Sequence, residues 1–395
     1  MKKMLSVVLL LSLTAALFAL SACGNNQPAP PPPAPPVAEQ PAPPPPAPEP
    51  PAAETPAEEP VAPVAEVPAG DAPSDFNGIP MFPLTAGSQA SFDNIEIDSR
   101  HVIYMPPGLE FPIYMAIGAG IEARATELGF TYQVLAPTLG ADVVGQLAML
   151  QDAIFMNPDV IVLATHDEHG AAPLVEQAVA QGIQVIKVNS DIPSFPTPIH
   201  AVVGYGQRTA QRAVGQFLVE YLDGREVYLG MTMGLPGWHI GERNGGFLEG
   251  IAGADNITIV TEMVGNWNVE GGLAAATDML QAHPHINVMW GGNDNEARGS
   301  QMAAAALGRD DILFVGNGGD TAGLEAIYDG LIHITAATTP FIIGQTTMDV
   351  AYGGMTGTFQ GGFVDTPAIV AHAGNVLDLL RQRDTLFPPP TRVFN

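Results

Sequence analysis

The sequence predicts an α/β protein made of two lobes, each a parallel sheet with helices on both faces. Three observations carry this reading. From residue 100 onward, short Val- and Ile-rich runs alternate with segments of helical period. The runs are continuously apolar instead of alternating with polar residues, which suits strands covered on both faces. The alternation comes as two successive series, in a chain of 395 residues, 46% hydrophobic, long enough for more than one lobe.

The first series reads as strand 101–105, helix 112–128, strand 131–135, helix 141–156, strand 159–164, helix 170–181 and strand 184–189. A short strand at 201–203 and a helix at 209–222 lead into the second series. That series reads as strand 226–231, helix 242–251, strand 257–263, helix 270–282 and a strand around Val288, then strand 312–315, helix 321–328 and strand 333–337. No sequence repeat links the two series.

The stretch 286–298 shows best how such a unit makes a site. Val288, Met289 and Trp290 form an apolar run, Gly291 and Gly292 break it, and Asn293 to Asn295 can cap the Ala-rich helix that follows. In open α/β sheets ligands bind beyond the carboxyl ends of the strands, so Asn293 and Asp294 stand where a ligand would arrive.

Ahead of this head lie two segments of different character. Residues 1–22 have the layout of an export signal: Lys2 and Lys3, an apolar run over 5–20, then small residues before Cys23, the only cysteine. A lone cysteine excludes an internal disulfide framework. Residues 23–75 are mostly Pro, Ala, Glu and Val, a composition that cannot bury enough apolar surface to offset its ordering entropy. They read as a spacer holding the head clear of a membrane.

The formal charge is -27 and the only lysines are Lys2, Lys3 and Lys187, so the basic surface that nucleic acid demands is missing. No Gly-x-Ser-x-Gly elbow, Walker lysine, zinc-protease helix or cysteine nucleophile occurs, and Gly204-Tyr205-Gly206 lacks the third glycine of a dinucleotide fingerprint. The reading is therefore not an enzyme, with no cofactor. His166-Asp167-Glu168-His169 has donor types suited to a metal but also reads as ordinary loop and helix-start residues.

Four segments in order resemble one family. They are Gly120-Ile121-Glu122-Ala123-Arg124-Ala125-Thr126-Glu127-Leu128-Gly129-Phe130, Gly182-Ile183-Gln184-Val185-Ile186, Gly241-Glu242-Arg243-Asn244-Gly245-Gly246-Phe247, and Ala282-His283-Pro284-His285-Ile286 followed by Asn293-Asp294. The region 100–371 resembles the periplasmic sugar-binding proteins of the ribose and galactose type, solute-binding proteins of ABC transporters related to the lactose-repressor ligand-binding fold. Leu20-Ser21-Ala22-Cys23 likewise resembles the lipobox of bacterial lipoproteins, which implies a lipid on Cys23.

The resemblance implies a type I periplasmic binding protein: two doubly wound lobes joined by a three-strand hinge, with crossings near 203–204, 338–339 and 365–366. The first lobe would then be 100–203 with 340–365, and the second 204–338 with 366–395. Gly204 suits a hinge that absorbs backbone rotation. Such a protein traps a small neutral sugar or polyol in the interlobe cleft and delivers it to ABC permease subunits. It would act as a monomer, lipid-anchored on the extracytoplasmic face of the cell membrane: the outer face of the cytoplasmic membrane in a single-membrane envelope, which Gly24 fits, or the periplasm. A sensor docking on a membrane kinase or chemoreceptor, or a binder of a non-sugar solute such as a nucleoside, stands as the alternative.

A sugar needs flat aromatic faces for its C–H surfaces and fixed polar groups for its hydroxyls. Phe111 and Tyr114 match the family's first aromatic loop, Trp267 matches a stacking aromatic in the second lobe, and Trp238 precedes the helix at 242. For hydroxyls the candidates are Asn293, then Asn189, Asp167 and Asp320, with Glu110, Ser190 and Thr338 in addition. The family's ribose pattern has an Asp-Arg pair where this chain has Asn189-Ser190, an Arg where it has Gly241, and an Asp two places before Asp320. Ribose itself is therefore disfavoured. Arg243 is expected to pair with a carboxylate at its helix start, and the resemblance contains no metal at His166 or His169.

Overall fold

The computed structural model describes residues 74–386. The export signal, Cys23 and nearly all of the Pro-rich spacer lie outside the described residues.

A hairpin opens the described chain: β1 (Ser74–Phe76) and β2 (Ile79–Phe82) are antiparallel about Asn77-Gly78, both at positive φ. Asn-Gly flanked by extended residues is the two-residue turn whose twist matches paired strands. Then follow β3 (His101–Met105), α1 (Pro112–Glu127), β4 (Thr131–Val134), α2 (Val143–Phe155), β5 (Val160–Leu163), α3 (Glu168–Ala180), β6 (Gln184–Val188) and β7 (Ala201–Gly204). The second lobe takes α4 (Gln207–Leu222), β8 (Val227–Met233), α5 (Trp238–Ile251), β9 (Ile257–Val264), α6 (Val269–Ala282), β10 (Val288–Gly291), α7 (Asp294–Ala306), β11 (Leu313–Gly318), α8 (Thr321–Tyr328) and β12 (Ile334–Thr338). Helix α9 (Pro340–Thr356) returns to pack on α1, β13 (Phe363–Asp365) joins the first sheet, and β14 (Ala368–His372), α10 (Val376–Arg381) and α11 (Arg383–Leu386) close the described chain.

The first sheet has the order β1-β2-β13-β7-β6-β5-β3-β4 and the second β14-β12-β11-β10-β8-β9. Pairing is parallel except at β1–β2, β2–β13 and β12–β14. Strands β5, β6, β7, β10 and β12 are buried at every residue, as strands covered by helices on both faces must be. Chain direction across the first sheet reverses between β3 and β5, and across the second between β8 and β10. The loops leaving those four strands are therefore where a crevice opens.

Two expectations are corrected. Residues 74–99, left outside both lobes by the sequence reading and partly assigned to the spacer, join the first sheet through the hairpin and a bridge from Gln89 to Ile199. Pro80 and Pro83 and the half-exposed strands hid the pattern there, although Asn77-Gly78 signalled the turn. Helix α5 starts at Trp238, not at 242, because Gly237 at φ 154 turns the chain into the helix ahead of Gly241.

The chain passes between the sheets after β7, after β12 and between β13 and β14. These crossings are tied together: Thr366 donates from its backbone N–H and its hydroxyl to the Gly204 carbonyl at 2.6 and 2.8 Å, and the Gly206 N–H donates to Asp365 at 2.8 Å. Gly204 is required by close approach, since a Cβ there would overlap the Ser190 carbonyl.

Candidate ligand-binding site

The cleft between the lobes holds a small cavity of about 50 Å³. It is lined by Phe111, Ile113, Tyr114, His166 and Asn189 from the first lobe, by Tyr205 beside the hinge, and by His239, Arg243, Trp267, Asn293, Asn317, Gly318 and Thr338 from the second lobe.

Phe111 caps the start of α1 and His166 follows β5, so both leave the first sheet at its reversal point. Their rings stand edge to face at 6.0 Å, and His166 in turn stacks on Trp267 of the opposite lobe at 6.2 Å and 27°. Burial, then the nearby Lys187 charge, lowers the His166 pKa to about 4, so the ring is a neutral hydrogen-bonding group at pH 7. Lys187 is fully buried and donates to Glu168 at 3.2 Å and to the Thr165 carbonyl at 3.0 Å. Tyr114 is pushed up to about 12 by burial and hydrogen-bonds Asn189.

Trp267 is held in an unusual backbone state. Asn266 and Trp267 have φ of 57° and 64°, left-handed conformations that cost non-glycine residues of order 1–2 kcal/mol each. Three contacts over-determine it. The Trp267 N–H donates to Glu296 at 2.9 Å, its carbonyl accepts from Asn293 Nδ2 at 2.9 Å, and its ring lies on Gly234, where any Cβ would overlap the indole. Burial raises Glu296 to about 8, so it stays largely protonated at pH 7.

Among the described residues, Arg243 is the only charged side chain lining the cavity. It does not pair with a carboxylate as expected: its Nε donates to Gln207 Oε1 at 2.9 Å, its Nη1 donates to the Gly292 carbonyl at 3.0 Å, and its guanidinium lies 5.1 Å from the centre of the Trp267 ring. Helix α5 turns it inward, and it is 7% exposed. Asn317 donates to the Tyr205 hydroxyl at 2.8 Å and accepts from Gln211 at 2.9 Å. Thr338 donates to the Gly318 carbonyl at 3.1 Å.

Of the sequence candidates, Phe111, Tyr114, Asn189, Trp267, Asn293 and Thr338 converge on this cavity. The others lie off it, for local reasons. Asp167 and Asp320 accept from Gly170 and Gly323 at 2.8 Å as caps of α3 and α8. Exposed Glu110 accepts from the Gly140 N–H, and Ser190 accepts from the Ile192 N–H inside a turn. Trp238 donates its ring N–H to Asp191 across the cleft and packs on the first lobe's apolar core. Asn293 does both jobs: it lines the cavity and caps α7 by accepting from the Glu296 N–H at 2.9 Å.

The sequence reading missed Tyr205, His239, Asn317 and the cavity role of Arg243. Tyr205 follows the hinge glycine and Arg243 lies in a quoted family segment, so both carried some signal; His239 and Asn317 carried none.

Residues 102–358 match the periplasmic binding protein domain family. The chain belongs to that family. It is 26% identical over 254 residues to a D-apiose import binding protein of Actinobacillus succinogenes, covering 64% of this chain and 81% of the relative. It is 29% identical over 239 residues to a D-ribose/D-allose-binding protein of Pseudomonas aeruginosa, covering 57% and 73%. A solved Caulobacter myo-inositol binding protein with myo-inositol bound shares the fold at a TM-score of 0.65 and 23% identity, covering 72% of this chain and 98% of that one. The sequence resemblance to ribose-type binding proteins and the two-lobed fold class are thus borne out, and the family is one of solute-binding proteins.

Proposed function

We propose that the protein captures a small neutral sugar or polyol between its lobes and delivers it to an ABC importer, doing no chemistry on it. The observation that carries this is a set of buried polar atoms without partners. His166 Nδ1, Asn189 Oδ1 and His239 Nε2 all belong to cavity-lining residues, are buried, and have no partner. Buried groups left unpaired cost roughly 1–3 kcal/mol each, so the favoured ligand is rich in hydroxyl donors. Phe111 and Trp267 supply apolar faces for its C–H surfaces. The relatives' names point the same way. Arg243 already has neutral acceptors and a ring face as partners, and a hydroxyl oxygen can accept its remaining N–H groups.

Closure must precede transport and opening must precede capture, so binding and lobe closure are one equilibrium. A thermal-shift screen of the head against sugars, polyols, nucleosides and amino acids tests this reading, since a tight ligand raises Tm by mass action. Carbohydrate hits are expected; hits confined to nucleosides or amino acids would overturn the substrate class. Anchoring through Cys23, as a monomer on the extracytoplasmic face, completes the proposal. Cys23→Ser should move the protein from the membrane fraction to the soluble one, and unchanged membrane retention would remove the lipid from it.

A further inference from the structure

Gln207 stands at the start of α4, three residues past the hinge glycine, and is fully buried. Its amide has a polarity that its neighbours dictate. Nε2 donates to Asp191 Oδ1 at 2.8 Å, and a carboxylate oxygen presents an acceptor there. Oε1 faces Arg243 Nε at 2.9 Å, which can only donate. Turning the amide over would set donor against donor at Arg243 and acceptor against acceptor at Asp191. With Oε1 so placed, its third neighbour, His239 Nδ1 at 3.1 Å, must carry a proton to bond it. In a neutral imidazole that leaves Nε2 a bare acceptor, and His239 Nε2 is the buried, unpartnered atom found at the cavity.

We propose that Gln207, oriented by Asp191, is the positioning residue that fixes His239 as its Nδ1–H tautomer, so that His239 Nε2 selects a ligand hydroxyl donor. This rests on the proposed carbohydrate reading for the identity of the donor, but not for the tautomer.

The relay crosses the cleft. Asp191 belongs to the first lobe, between β6 and β7, whereas Gln207, His239 and Arg243 belong to the second. The same Asp191 oxygen also accepts from Trp238 of the second lobe at 2.8 Å. With the lobes apart, Gln207 loses the partner that sets its amide, and His239 is free to exchange tautomers. Closure therefore brings the lobes together and writes the cavity's donor and acceptor pattern in one step. Trp238, off the cavity itself, serves recognition through that carboxylate.

Long-range ¹H–¹⁵N spectra of the ¹⁵N-histidine-labelled full chain read the tautomer directly, with the His239 signal assigned by its loss in His239→Gln. Measured with D-allose and with myo-inositol added, wild-type His239 is expected to carry its proton on Nδ1; a proton on Nε2, or a charged ring at pH 7, would overturn the proposal even if no Gln207 variant folds. Gln207→Met should give mixed tautomers and raise the Kd of whichever of the two probes binds by at least about tenfold. A Gln207→Met protein with wild-type tautomer and Kd would show a merely structural role and end the proposal. If neither probe binds wild type, the carbohydrate reading suffers, and the spectrum is taken with the ligand that the thermal-shift screen finds, where a proton on Nδ1 is still expected and one on Nε2 ends the relay.

Discussion

The two rims of the cleft are built differently. The second lobe braces its cavity residues from behind: Arg243 on Gln207 and Gly292, Asn317 on Gln211 and Tyr205, Asn293 on the start of α7 and the Trp267 carbonyl. The first lobe leaves two cavity residues with a bare polar atom, His166 Nδ1 and Asn189 Oδ1, amid aromatic faces, whereas the second leaves one, His239 Nε2, among many braced groups. A braced rim is preorganised and loses little entropy when the ligand arrives, whereas a bare rim gains its missing bonds only on binding. Damage to the second lobe should thus be felt in both stability and affinity, and damage to the first in affinity alone.

The largest effect is expected at Arg243. Arg243→Met removes a charged donor from a dry site and should weaken ligand binding by about 2–3 kcal/mol, roughly 30- to 150-fold by calorimetry. A loss under about threefold would mean that the guanidinium only braces the rim. The sharper contrast is between the two asparagines. Asn293→Ala should cost about 1 kcal/mol of folding stability through the lost cap, as well as affinity. Asn189 sits at φ 55°, so Asn189→Gly removes the amide without backbone strain; it should cost about 1 kcal/mol of binding while denaturant midpoints stay within about 0.5 kcal/mol of wild type. Equal stability losses in both variants would erase the distinction between the rims.

The smallest effect is a pH slope. Burial raises Glu296 from its ordinary 4.5 to about 8 in the folded protein. The unfolded chain therefore ionises first, and this group's stabilisation, complete below about 4.5, is lost as pH rises toward about 8. Asp294 and Asp365, each raised to about 6 mainly by burial, act in the same direction at lower pH, and His166, depressed to about 4, acts in the opposite one. The comparison that isolates Glu296 is Glu296→Gln against wild type: the variant's Tm relative to wild type should climb between pH 5 and 8. A flat difference would place an ionised carboxylate behind Trp267.

Much of this molecule could be read along the chain. Runs such as Val160–Leu163 and Val288–Gly291 announce strands covered on both faces, because apolar continuity and turn residues are local properties. Position after a strand then placed Phe111, Asn189, Trp267 and Asn293 at the cavity. Chemistry at a helix start was not so legible. Asp167, Asp320 and Asn293 each cap a helix with the same bond to the residue three places on, and only the path of the opposite lobe decides that Asn293 alone also meets the cavity. Residue type and spacing set which groups could bind; the folding of two sheets onto each other chose among them. The Asp191–Gln207–His239 chain is the clearest case, because its members come from separate elements and opposite lobes and acquire a common polarity only where those surfaces meet.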